Sequence, residues 1–105
     1  LELLRNQRQV VPDDSEALSC AEYGIVYRPL DMSNQPLSVE SGVGACQRRC
    51  HRTVGCAHYA YFVLEGHCHI QDAFAYPTSD NLEWISGPSG CRLNERSQEE
   101  IAILI

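Results

Sequence analysis

The sequence predicts one small α+β domain that is held together by disulfide bonds, and three observations lead to this prediction. The chain has 105 residues, the length of a single domain with a modest core. Six of them are cysteines, which is an even number and a high load for so short a chain. One stretch has helical spacing, and the stretches after it are rich in strand-forming residues. We therefore expect one helix packed against a sheet.

The predicted helix begins after Ser41, a favourable N-cap, and ends before Gly55, a common stop residue. Between them, the segment VGACQRRCHRT runs at helical spacing. Residues three and four apart share one face of a helix, so Val43, Cys46 and Cys50 point the same way. The helix thus directs two sulfur atoms towards the sheet.

Strands are predicted at residues 24–27, 56–64, 67–71 and 82–87. A hairpin turn at Glu65–Gly66 joins the second strand to the third. Residues 31–38 and 74–81 are rich in turn-forming residues and are predicted to be loops. We expect Trp84 to lie in the core, and Tyr59 and Tyr61 to lie in the core or on the surface of the sheet.

The compact unit is predicted to extend from Cys20 to Cys91, the two outermost cysteines. Residues 1–19 are expected to be an N-terminal extension or linker, and residues 92–105 a C-terminal linker or tail. We expect the chain to be a piece of a longer processed protein. The net charge of −6 argues against nucleic acid as a partner. No apolar run approaches the length of about 18 residues that a membrane span needs, so no membrane insertion is expected.

The cysteines allow three interpretations. A zinc site could combine Cys46 and Cys50 with His67 and His69, but it would leave four cysteines without a role. A catalytic thiol at Cys50 would need a base, and the adjacent His51 points about 100° away on a helix. A disulfide framework uses every cysteine and indicates an oxidising compartment. It needs no metal or cofactor, although composition alone leaves fifteen pairings open.

The central cysteines and their surroundings resemble those of the apple/PAN family. The shared features are the C-x3-C-x5-C spacing of Cys46, Cys50 and Cys56, the pair Tyr59-x-Tyr61, Cys68-x-Ile70, an early Cys20, and Ser86-Gly87 before Cys91. The resemblance covers residues 20–91, about two-thirds of the chain. It implies a curved antiparallel sheet of about five strands that cradles one helix. It also implies three disulfides: Cys20–Cys91, Cys46–Cys68 and Cys50–Cys56.

Apple domains are extracellular binding modules, so the resemblance implies a binding function and no catalytic role. Within the family, the chain is most similar to an apple repeat of coccidian (Eimeria-type) microneme adhesive proteins. This similarity implies a secreted module, held in micronemes before release, that serves host-cell attachment and invasion. The partners would be a host-cell surface protein or glycan, another microneme protein, and neighbouring apple domains. The alternative within the family is a module of a contact-factor or plasminogen-like zymogen that docks a protein.

The candidate ligand-binding residues are basic and lie on the predicted helix. They are Arg48, Arg49, His51 and Arg52, and they form a basic cluster on an acidic chain. Guanidinium groups bind sulfate and carboxylate in a planar, two-pronged geometry. The cluster is therefore a candidate contact for a sulfated or sialylated glycan, or for an acidic protein patch. The plainer interpretation is a solvated helix face.

Alkylation of the denatured, unreduced protein should add no mass to its thiols, because all six cysteine sulfur atoms are expected to be in disulfides. Intact-mass spectrometry measures the number of labels, and reduction before alkylation is the control that should label every cysteine. A mass gain on several thiols, or the release of zinc, would favour an enzyme over a binding module.

Overall fold

A computed structural model describes residues 13–91 of the chain. Residues 1–12 and 92–105 lie outside the described part, and with them the predicted C-terminal tail and most of the predicted N-terminal extension. The elements, in chain order, are α1 (Asp13–Leu18), β1 (Glu22–Tyr23), β2 (Ile25–Arg28), β3 (Ser38–Val39), α2 (Val43–Arg52), β4 (Cys56–Phe62), β5 (His67–Asp72), β6 (Tyr76–Ser79) and β7 (Trp84–Pro88). No helix within residues 13–91 is long and apolar enough to cross a bilayer.

Five strands form one antiparallel sheet in the order β1-β7-β4-β5-β3, which confirms the predicted fold class. The hairpin between β4 and β5 lies at the centre of this sheet. Gly66 makes its turn with a φ of 71°, which L side chains rarely adopt. The remaining two strands, β2 and β6, pair with each other and form a separate ribbon.

The core lies between α2 and one face of the sheet, here called the inner face. Side chains alternate along a strand, so every second residue of β4 and β5 faces the helix. The buried core residues are Ala17, Val43, Cys46, Cys50, Tyr59, Tyr61, Cys68 and Ile70. Tyr59 and Tyr61, expected in the core or on the sheet surface, are therefore both core residues.

Three disulfides connect these elements, and their pairing is the one that the family resemblance implies. Cys46 of α2 is bonded to Cys68 of β5, and Cys50, one turn later, is bonded to Cys56 at the start of β4. The third bond joins Cys20 to Cys91 across 71 residues of sequence. In a chain-entropy model, a loop of that length stabilises the fold by roughly 4 kcal/mol.

Helix α1 corrects two expectations from the sequence. Residues 13–18 were expected to be part of an extension, but they form a helix whose Ala17 is fully buried in the core. Ser41 was expected to cap α2, yet the N-cap residue is Gly42, which offers no side chain. The cap comes instead from Asp14, whose Oδ1 accepts a hydrogen bond of 2.8 Å from the Gly44 N–H.

Glycine at position 42 makes this cap possible. A Cβ atom there would lie 2.6 Å from Asp14 Oδ2, so any larger residue would push the carboxylate away from the helix end. The negative charge also stabilises the positive end of the helix dipole. Residues 13–18 thus belong to the folded unit.

The ribbon of β2 and β6 covers part of the opposite, outer face of the sheet. The Ser86 hydroxyl of β7 donates a hydrogen bond to the Ile25 carbonyl, and Tyr27 stacks on His58 of β4 with ring centroids 3.9 Å apart. The prediction of a continuous loop at residues 74–81 was therefore wrong, because Tyr76–Ser79 pairs with β2. The short edge strands β1 and β3 were also not predicted.

Replacement of Asp14 by alanine should lower the free energy of unfolding by about 1 kcal/mol, since removal of a capping carboxylate typically costs that much. Ser41→Ala is the matched control, and it should leave the stability unchanged because the Ser41 side chain is exposed and caps nothing. Urea denaturation followed by circular dichroism measures both values. Equal stability of the two variants would show that the cap from α1 contributes nothing.

Candidate functional site

An open cleft runs along one flank of α2, and it is the candidate site of the described residues. It lies between α2, helix α1 and the segment after β7, and its volume is about 440 Å³. The lining residues are Glu16, Gln47, Arg48, His51, Ser89, Gly90 and Cys91. The cleft is thus bordered by both ends of the compact unit.

The floor of the cleft is fixed by Gln47 and by the disulfide between Cys20 and Cys91. Only 9% of Gln47 is exposed, and its Nε2 donates a hydrogen bond of 3.1 Å to the Pro88 carbonyl. The same atom lies 3.6 Å from Cys91 Sγ. A covalent bond and a buried amide therefore fix this part of the cleft lining.

The structure brings together two of the predicted basic residues at this cleft. Arg48 and His51 line it, and both are exposed. Arg52 is also exposed and lies one helical turn after Arg48, on the same side of α2. Glu16, from α1, adds a carboxylate to the lining, so the cleft has groups of both charges.

Arg49 is not part of this group, which corrects the predicted four-residue cluster. Its guanidinium lies on the other flank of α2 and donates hydrogen bonds to the Cys68 carbonyl at 2.9 Å and to the Ser38 hydroxyl at 3.0 Å. It also bonds the Pro36 carbonyl at 2.7 Å. These contacts join the helix to β3, β5 and the loop before β3, so Arg49 has a structural role.

The zinc interpretation does not fit the structure. Cys46 and Cys50 are bonded to two different cysteines, so neither is available as a thiolate ligand. His67 and His69 belong to the outer face of the sheet, because Cys68 between them faces the core. The thiol-enzyme interpretation fails for a related reason, since every cysteine is in a disulfide.

His58 and His69 have defined surroundings away from the cleft. His58 is partly buried against Tyr27, and this burial lowers the pKa of its imidazole. The lowered pKa favours the neutral form of this imidazole. His69 is almost fully buried, and its Nδ1 lies 2.8 Å from Asp31 Oδ1.

Sequence reasoning missed most of the cleft lining. Glu16 lay in the predicted extension, and Ser89 and Gly90 were not among the predicted site residues. Gln47 was not predicted either, because its buried contact with the Pro88 carbonyl depends on where β7 ends. Trp84, expected in the core, is half-buried on the outer face and contacts the rings of Phe62 and His69.

Comparison with known proteins identifies solved structures with a similar fold. No family model and no curated protein matches the sequence. One similar structure is the A5 domain of Toxoplasma gondii microneme protein 4 in complex with lacto-N-biose, with a TM-score of 0.59 and 21% identity. The match covers 69% of this chain and 99% of that one.

A second similar structure contains the two N-terminal apple domains of the same Toxoplasma protein. Its TM-score is 0.57 at 17% identity, and the match covers 68% of this chain but only 43% of that one. Both likenesses show the fold. The chain has the fold of an apple domain, the kind found in a microneme protein of an apicomplexan parasite, as the sequence motifs had indicated.

Replacement of Arg49 by alanine should lower the free energy of unfolding by about 2 kcal/mol, because several hydrogen bonds from a charged group to partly buried acceptors are lost. Arg52→Ala, the control, removes the same charge from an exposed position and should change stability by less than about 0.5 kcal/mol. Urea denaturation of both variants measures the difference. If the two variants were equally stable, the contacts of Arg49 would not hold the helix.

Proposed function

We propose that this chain is an extracellular adhesive module that binds a carbohydrate or protein ligand. The apple fold and the three disulfides support this role, because such modules are used for binding in oxidising surroundings. The likeness to microneme apple domains, one of them in complex with a disaccharide, supports a place in a microneme adhesin used in host-cell attachment. Partners would include a host surface molecule, another microneme protein and neighbouring apple domains.

The observation that carries the proposal is a cleft lined by basic side chains, with one carboxylate, on an acidic protein. The chain has a net charge of −6, yet Arg48 and His51 lie together at the cleft and Arg52 follows one turn later. A guanidinium pairs with the sulfate or carboxylate of a glycan through two parallel hydrogen bonds. We therefore assign the cleft to an acidic glycan, with Arg48 and Arg52 as its principal contacts.

Binding strength would also come from several copies of the module on one chain. A single open cleft with a few charged contacts gives a weak complex, because exposed ion pairs contribute little each. Several modules on one chain raise the overall affinity, since each further contact becomes intramolecular. A ligand that presents many acidic sugars would suit such an array.

The double variant Arg48→Ala with Arg52→Ala should lose retention on heparin and on a sialoglycan array, since both principal contacts with the acidic groups are removed. The loss should be at least about tenfold in apparent affinity, the change that 1.4 kcal/mol produces. Retention on a heparin column and binding to the array measure it, and circular dichroism checks the fold.

Arg28→Ala is the matched control for Arg48→Ala, because it removes one positive charge from β2, where Arg28 is paired with Asp80 at 3.5 Å. It should bind as the native protein does. Retention of the double variant as strong as that of the native protein would show that the cleft is not the binding site. The same conclusion would follow if the single variants Arg28→Ala and Arg48→Ala lost equal amounts of retention on heparin.

A further inference from the structure

A row of side chains crosses the outer face of the sheet at the end opposite the cleft. Val39 of β3 is in register with His67 of β5, His67 with Phe62 of β4, and Phe62 with Trp84 of β7. Residues in register on neighbouring strands project to the same face of a sheet. These four residues, here called the outer row, therefore form one line across four strands.

The outer row is accessible, whereas the rows next to it are covered. The ribbon of β2 and β6 packs over β4 and β7 farther along, where Tyr27 stacks on His58. In the outer row, by contrast, Val39 is 70% exposed, the His67 side chain is 32% exposed, and Phe62 and Trp84 are half-buried. The row is thus a partly exposed strip of apolar and aromatic side chains.

The dimensions and rigidity of the strip suit a small ligand. Strands in a sheet lie about 4.8 Å apart, so four strands give a strip of roughly 14 Å, enough for two sugar rings. The rings of Phe62 and Trp84 are packed together with centroids 4.9 Å apart, and His69 supports Trp84 from the next row at 5.7 Å. The aromatic faces are therefore held in place before any ligand arrives.

Carboxylates border the strip. Asp31 lies 2.8 Å from the His69 imidazole, and its own side chain is 37% exposed. Glu65 lies 3.5 Å from the His67 imidazole and is 62% exposed. An ionised carboxylate only accepts hydrogen bonds, so it suits hydroxyl groups and repels sulfate, phosphate or another carboxylate.

We infer that the outer row is a second ligand site, which binds a neutral saccharide. The C–H face of the sugar packs on the rings of Phe62 and Trp84, and its hydroxyl groups donate hydrogen bonds to Asp31 and Glu65. The site differs from the cleft in both position and charge. β7 begins at Trp84 in the outer row and leads to the cleft after Pro88, so the two sites lie at opposite ends of one strand.

The sole tryptophan of the chain is the reporter for this inference. Titration with lacto-N-biose, lactose and maltose should change the emission of Trp84 in a saturable way with at least one of them, with a dissociation constant of about 1 mM. Heparin should leave the emission unchanged, because the carboxylates repel it. Arg48→Ala should also bind the neutral sugar normally, which separates this site from the cleft.

Two variants test the contacts. Glu65→Gln, on an exposed turn, and Phe62→Leu, which keeps an apolar side chain, should each weaken binding of the active disaccharide by about tenfold. Phe74→Leu is the matched control, because Phe74 is an aromatic residue that is 91% exposed outside the outer row. It should bind like the native protein. Circular dichroism of each variant checks the fold, and Glu65→Gln remains informative if Phe62→Leu is unstable.

Three outcomes would overturn the inference. In the first, none of the three disaccharides changes the emission of Trp84. In the second, the change is the same in Glu65→Gln and Phe62→Leu as in the native protein. In the third, the emission varies with protein concentration and not with sugar, which would make the outer row an interface between copies of this chain. Retention on heparin is measured separately, so the failure of this site would not bear on the cleft.

Discussion

The two disulfides of α2 determine how the rest of the molecule is arranged. Cys46 and Cys50 lie one turn apart on the helix and are bonded to different strands, β5 and β4. Two covalent bonds at different heights fix both the position of a helix and its rotation about its own axis. Because that rotation is fixed, Arg49 always faces the β3 and β5 edge, whereas Arg48 and His51 always face the cleft. The arrangement of the candidate site is thus a consequence of the two disulfide bonds.

The central part of the fold could be predicted because its signals are local. The helical spacing of the cysteines, the strand-forming composition of β4 and the Glu65–Gly66 turn are each evident within a few residues of sequence. Helix α1 could not be predicted in the same way. Helix α1 caps α2 through the hydrogen bond from the Gly44 N–H to Asp14, two residues that are 30 positions apart in the sequence. The sequence around Asp14 has the composition of a linker. Strand β6 was missed because Pro77 and its neighbours favour turns, and only its pairing with β2 makes it a strand.

The candidate site was predictable only in part, for a geometric reason. Adjacent residues on a helix point about 100° apart, so Arg48 and Arg49 had to diverge. The sequence placed both in one cluster because it gave no information on which flank of α2 would face solvent. The opposite wall, at Ser89 and Gly90, depends on where the last strand ends. The outer row is defined by register between strands, which single-sequence periodicity does not contain.

The bond between Cys20 and Cys91 has a mechanical consequence. The Cα atoms of these two residues are 5.6 Å apart, and the whole sheet and α2 lie in the loop between them. When tension pulls the flanking polypeptide in opposite directions, the force passes through this bond and bypasses the enclosed sheet. Helix α1 lies outside that loop and bears the full load. Under such tension α1 would detach first, and the cleft would lose Glu16 from its lining while the sheet enclosed by the disulfide stays intact.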